Sequence, residues 1–175
     1  MNLSEYIKKV AWTNIDYDWV YGSQCVDLIK NYTREVLWIR LWTFWGSAKT
    51  GWANSSNTFP TDTWEKIPNN PSDLYQTPKV WDIAFWNTWI YGHVAIVLEW
   101  TKWSYIQALE QNVWNWDWVW EDDAVKVSRK SYHNISWWYR LKNTDIKDLQ
   151  KENKRLNEEN AILEMQINAI KKIVE

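Results

Sequence analysis

The chain has 175 residues, a formal net charge of −2 and 17% aromatic residues. That length holds one domain with a sizeable core plus an appendage, and the near-neutral charge gives no electrostatic basis for nucleic acid or an anionic membrane as partner. A single cysteine excludes an intrachain disulfide framework, no Cys/His spacing suits zinc, and no run reaches the roughly 20 apolar residues that cross a bilayer.

The first nine residues, Met1-Asn-Leu-Ser-Glu-Tyr-Ile-Lys-Lys, read as the start of a capped amphipathic helix over 3–10, with Leu3, Ile7 and Val10 on one stripe, and not as a signal peptide. Next comes Asp16-Tyr-Asp-Trp-Val-Tyr-Gly-Ser-Gln-Cys25-Val-Asp27, which carries the cysteine and three carboxylates within twelve residues. Val26, Leu28, Ile29, Tyr32 and Val36 then recur at helical spacing, so a second helix is expected over 24–36 with Cys25 at or beside its N-terminus. There the unpaired N–H groups and the helix dipole favour an anion, which suits a nucleophilic thiolate. A small buried hydrophobe is the other reading of a free cysteine.

Residues 37–79 are irregular, with short helical turns expected near 47–53 and 62–67; a loop-rich stretch of this length inside a compact domain is usually functional. Strand signals follow at 81–86, 93–99, 105–111, 124–129 and 136–141, with turn-sized gaps that predict an antiparallel meander. Helices first and strands after give an α+β class with an antiparallel sheet of about five to six strands.

The character changes near Asp145. Ile146, Asn153, Asn160, Ile167 and Val174 recur every seven residues, interleaved with Leu149, Leu156, Leu163 and Ile170. These a and d positions predict a coiled-coil helix over 143–175, appended to a catalytic domain over 1–142. Asparagine at a favours a parallel dimer, whereas Glu159 at g would face Glu164 at e′ and repel it. A trimer, a hetero-partner, or a helix folded back on the domain therefore stay open.

One composition figure is abnormal. There are 18 tryptophans and 4 glycines, where ordinary usage is about 7% glycine. The tryptophans also stand where turns belong. Asn115-Trp116-Asp117-Trp118 is a poor strand, but with glycine for tryptophan it becomes a pair of hairpin-turn dipeptides. The pattern predicts that most of them are glycine codons read with the wrong table, UGA meaning glycine in the source. A protein rich in true tryptophan, stacking on sugars, is the other reading. Trp52, Trp64, Trp86 and Trp138 occupy apolar or aromatic slots and are expected to be true tryptophans.

A thiolate needs a base, and the chain has two histidines. His93 opens the strand His93-Val-Ala-Ile-Val-Leu-Glu, whereas His133 lies in a polar turn. Glu110 and Asn112 end the next strand two residues apart, so alternation would aim both at one face, from which a histidine on the neighbouring strand could be oriented. Tyr21-Gly-Ser-Gln-Cys-Val-Asp-Leu, Trp81-Asp-Ile-Ala-Phe-Trp, Gly92-His-Val-Ala-Ile-Val and Ile106-Gln-Ala-Leu-Glu-Gln-Asn, in that order, resemble the CHAP family. These are cysteine, histidine-dependent amidohydrolases/peptidases of papain-like fold that cut peptidoglycan.

The resemblance implies Cys25 as nucleophile, His93 as base, Glu110 as orienting acid and Asn112 as the final polar member. It departs from the family at glycines, which appear here as Trp81 and Trp19. It also implies a calcium ion on Asp16, Asp18 and Asp27 with the carbonyls of Val20 and Gly22, hard oxygen ligands of the kind calcium prefers. Helix capping is the alternative role for these acids. The expected function is peptidoglycan hydrolysis at an amide bond, as N-acetylmuramoyl-L-alanine amidase or peptide endopeptidase, in a phage lysin or related wall-lytic protein that has no signal peptide and acts at the cell wall. The expected partners are peptidoglycan and further copies of the chain. The competing reading is a non-catalytic interaction or virion protein with a relict hydrolase domain.

Overall fold

The computed structural model describes residues 1–41, 46–49, 55–70, 72–73, 76–87, 90–101, 105–113 and 124–142. Helix α1 (Leu3–Val10) opens on a capping box. The Asn2 side chain accepts from the Glu5 amide, and the Glu5 carboxylate accepts from the Asn2 amide, both at 2.9 Å. Helix α2 (Cys25–Glu35) follows the Asp16–Gln24 loop. The Gln24 amide donates to Asp27 Oδ2 at 3.0 Å, so an acid occupies the first turn, where the dipole favours it. A single turn, α3 (Ser55–Thr58), precedes the sheet.

Six strands follow: β1 (Trp64–Pro68), β2 (Ile83–Trp86), β3 (His93–Thr101), β4 (Tyr105–Glu110), β5 (Lys126–Ser131) and β6 (Trp137–Leu141). They form one antiparallel sheet in the order β1-β6-β2-β3-β4-β5. The expected meander is present from β2 to β5. The last strand does not extend it, but returns to pair with β2 and carries β1 on its outer side.

Strand β1 replaces the helical turn expected at 62–67, and its sequence explains the difference. In Trp64-Glu-Lys-Ile-Pro68 the buried residues are Trp64 and Ile67, a spacing of three that imitates a helix. Pairing with β6 overrides that pattern, and Pro68 closes an edge strand, where a missing N–H costs least.

Both faces of the sheet are covered. One face packs Ile83, Phe85, Val94, Ile96 and Leu109 against Tyr6, Val26, Leu28, Ile29 and Tyr32 of the two long helices. The other buries Ala84, Trp86, Ala95, Val97, Ile106, Ala108 and Trp138. Strands buried on both sides read as apolar runs, which is why β2 and β3 were legible as strands. Asp82 fixes the start of β2: it accepts from Arg140 Nη2 at 2.7 Å, Arg140 Nε at 3.1 Å and the Lys79 amide at 2.7 Å. Among the described residues no helix is long and apolar enough to cross a membrane.

The tryptophans divide by backbone conformation. Trp64, Trp86 and Trp138 are buried in the two cores, as their apolar slots implied. Trp12, Trp19 and Trp38 are 81%, 87% and 67% exposed and have φ of 65°, 60° and 59°. Trp81 has φ of 83°. A Cβ in the left-handed region costs roughly 1–2 kcal/mol per residue, a cost that glycine escapes. Trp52, the Trp114–Trp120 stretch and the heptad segment over 143–175 lie outside the described residues.

Candidate active site

His93 begins β3 and Glu110 ends β4, and the two strands are antiparallel neighbours, so both side chains lie at one end of the sheet. They share the face that carries Ala95, Val97 and Ala108. His93 Nε2 stands 2.8 Å from Glu110 Oε2. Cys25, the half-buried first residue of α2, lies near enough to the same ring to favour its protonated form. The structure thus brings thiol, imidazole and carboxylate together, with the thiol on the first helical turn, whose N–H groups have no acceptor within the helix.

The electrostatics follow from burial and pairing. Burial alone would depress the His93 pKa. Hydrogen bonds and charge interactions with Cys25 and Glu110 outweigh it and raise the value to about 9. Glu110 is fully buried, which would push its carboxyl up, yet it lies below the usual range because His93, Lys130 and Ser128 all favour its anion. Lys130 Nζ is 2.9 Å from Glu110 Oε2, and the Ser128 hydroxyl donates to Oε1. Neither partner was anticipated. They sit two residues apart on β5, on the side that faces Glu110, a signal legible only once β5 is known to pair with β4.

Asn112 does not share the alternation expected of it. The strand ends at Glu110, and Asn112 is exposed with φ of 52°. Among the described residues it makes no hydrogen bond to the His93 ring. The inward-facing amide is its neighbour. Gln111 is fully buried, and its Oε1 accepts from the Ile15 amide at 2.8 Å. Its Nε2 donates to the Ile15 carbonyl at 2.7 Å and to the Gln24 carbonyl at 2.9 Å. One side chain therefore ties the end of β4 to both ends of the loop that leads into Cys25.

That loop gathers the expected acids. Asp16, Asp18 and Asp27 bring carboxylate oxygens within 4.8 Å of one another. Asp16 Oδ1 and Asp27 Oδ1 are buried without a hydrogen-bond partner. Asp27 also caps the helix through its other oxygen, which leaves Oδ1 facing the cluster. Burial pushes the Asp27 carboxyl up, to about 6; the Gln24 amide and Lys30 oppose this, and the charges of Asp18 and Asp16 add to it. Clustered carboxylate oxygens of this kind fit a calcium ion in ligand chemistry. Val20 is exposed and its amide donates to Asp18 Oδ1 at 3.0 Å, while Gly22 takes φ of 70°. A cleft of about 340 Å³ adjoins the loop, lined among others by Asp18, Tyr21, Gln24 and Asp27. Lys30, which sequence reasoning passed over, enters the same cluster. Its side chain is 6% exposed, with Nζ 2.6 Å from Asp18 Oδ2 and 3.8 Å from Asp27 Oδ1.

A cysteine at a helix N-terminus, joined through histidine to an acid on an antiparallel sheet, is the α+β layout of a papain-like domain. The CHAP domain profile matches residues 12–112, and the chain belongs to that family. Endolysin PlyTW of Staphylococcus phage Twort is 31% identical over 141 residues, which cover 77% of this chain and 28% of that protein's length. The crystal structure of the wild-type endolysin LysIME-EF1 shares the fold, with a TM-score of 0.60 and 20% identity over 78% of this chain and 61% of that one.

Because the folded state holds His93 protonated more strongly than the unfolded chain, with its ordinary value of 6.5, this pairing stabilises the fold fully below about pH 6.5 and loses its contribution as pH rises through about 9. Titration of the His93 ring protons by NMR should give a midpoint near 9. Glu110→Gln removes one charged partner and should lower it; an unmoved midpoint would show that Glu110 does not hold the proton.

Proposed function

We propose that the chain is a peptidoglycan hydrolase that cuts an amide bond with Cys25 as nucleophile, in the manner of a phage lysin acting at the cell wall. The observation that carries this reading is the juxtaposition of Cys25 with His93, whose ring stands 2.8 Å from Glu110 Oε2. Membership of the CHAP family and likeness to an endolysin over the same residues support it. Cys25 attacks the carbonyl of an N-acyl or peptide bond, and N–H groups at the start of α2 help to hold the oxyanion. His93 delivers its proton to the leaving amine, and water then releases the thioester. Glu110 keeps the imidazole oriented and charged. The bond is that of an N-acetylmuramoyl-L-alanine amidase or of a peptide endopeptidase; both use this chemistry. Asn112 is retained as the final polar member on the strength of its position in the motif.

The acidic loop is read as a calcium site formed by Asp16, Asp18 and Asp27 with the carbonyls of Val20 and Gly22. The two buried oxygens that lack a hydrogen-bond partner, Asp16 Oδ1 and Asp27 Oδ1, support this. Bound calcium would supply a fixed positive charge that stiffens the loop ahead of the nucleophile.

Residues 1–142 form the catalytic unit in this reading, and the heptads over 143–175 join copies of the chain, raising avidity for a polymeric wall. The exposed tryptophans with positive φ are read as UGA glycine codons, supported by their backbone conformation.

Three outcomes test these statements. Cys25→Ala should abolish the turbidity loss of a susceptible cell-wall suspension, and lysis near the wild-type rate would exclude the mechanism. In gel filtration, a chain ending at Lys142 should lose the self-association of the full chain; equal states would count against the heptads. Changing Trp12, Trp19 and Trp38 to glycine should raise stability to chemical denaturation by about 1 kcal/mol per site. UGG at these positions in the gene would overturn the codon reading, whatever the stabilities.

A further inference from the structure

We propose that the Lys30 ammonium is a built-in competitor for the cation site of the acidic loop, so that a divalent ion binds there only by displacing it. The proposal rests on the calcium reading above and adds the residue that sets its affinity.

Lys30 lies on α2, one turn beyond Asp27 and five residues beyond Cys25. A lysine among the buried residues Leu28, Ile29, Tyr32 and Thr33 is anomalous, because its charge must leave water. The compensation is visible: Nζ contacts Asp18 Oδ2 at 2.6 Å and lies 3.8 Å from Asp27 Oδ1. These carboxylates belong to the set whose ligand atoms lie within 4.8 Å of one another. A calcium ion reaching the same oxygens at its usual ~2.3–2.6 Å would stand against the ammonium, and two cations repel strongly in so small and buried a space.

One ammonium does not saturate three carboxylates. Asp16 Oδ1 and Asp27 Oδ1 are left without a hydrogen-bond partner, and Asp27 is 1% exposed. The cluster therefore keeps its attraction for a divalent ion while Lys30 holds oxygens that the ion needs. The metal-free loop is stabilised by the lysine and the metal-loaded loop by the ion. Exchange between them moves a side chain of the helix that carries the nucleophile.

The test uses the full chain with calcium chloride as probe. By isothermal titration, Lys30→Met, which keeps most of the apolar stem and removes the charge, should bind calcium at least about tenfold more tightly than wild type. Lys30→Arg, which keeps the charge, should stay close to wild type. In parallel, acylation of wild-type lysines read by mass spectrometry should show Lys30 protected without calcium and labelled when calcium saturates. The labelling needs no variant, so it decides the matter should Lys30→Met fail to fold. Equal affinities for wild type and Lys30→Met, or Lys30 labelling unchanged by calcium, would overturn the competition while leaving the calcium reading intact. Absence of binding in all three proteins would overturn both.

Discussion

The site is built around a carboxylate that has no water to solvate it. Glu110 is fully buried, and an ion taken out of water costs several kcal/mol unless its neighbours replace the lost solvation. Here they do so from both sides. His93 reaches it from β3, and Ser128 and Lys130 reach it from β5. The register of three strands is thus fixed by one charge as well as by backbone ladders. Cys25 and Glu110 together raise the pKa of His93 against its own desolvation. Loss of Glu110 would therefore act on strand packing and on the protonation of His93 together.

Much of this was legible in the sequence, for identifiable reasons. Cys25 was set at a helix start by the apolar spacing behind it, and His93 and Glu110 by strand alternation on either side of a short turn. Asn112 escaped the same logic because alternation holds only while the strand lasts. The chain bends at Gln111, so the buried amide is one residue earlier than period 2 implies. Strand β1 was hidden because its two buried residues are three apart, and its strand character comes from β6, about seventy residues away in sequence. Lys30 was invisible for a related reason: a buried lysine makes sense only beside its partners, and the nearer one, Asp18, lies in a loop whose shape composition does not reveal.

The tryptophans show how a local backbone requirement can be read against a residue's own preference. Those that fill the cores behave as large apolar side chains should. The left-handed ones at the surface are mostly exposed and so bury little that would offset their conformational cost, a conflict between local preference and fold of the kind natural sequences minimise. Trp81 is the intermediate case: φ is positive, but its ring stacks on Tyr32 and its carbonyl accepts from the Tyr32 hydroxyl at 3.2 Å.

The contacts of Gln111 bear on the order in which the molecule assembles. The His93–Glu110 contact spans 17 residues, a hairpin-scale separation. The contacts of Gln111 with Ile15 and Gln24 span 96 and 87. Short loops close at small entropic cost and long ones only after much of the chain is already in place. The histidine and its acid are brought together by closing one short loop, whereas the cysteine reaches them only where the first quarter of the chain docks onto the sheet. The meeting of Cys25 with His93 is thus a property of the completed topology, absent from any partly folded chain whose helices have not yet reached the sheet.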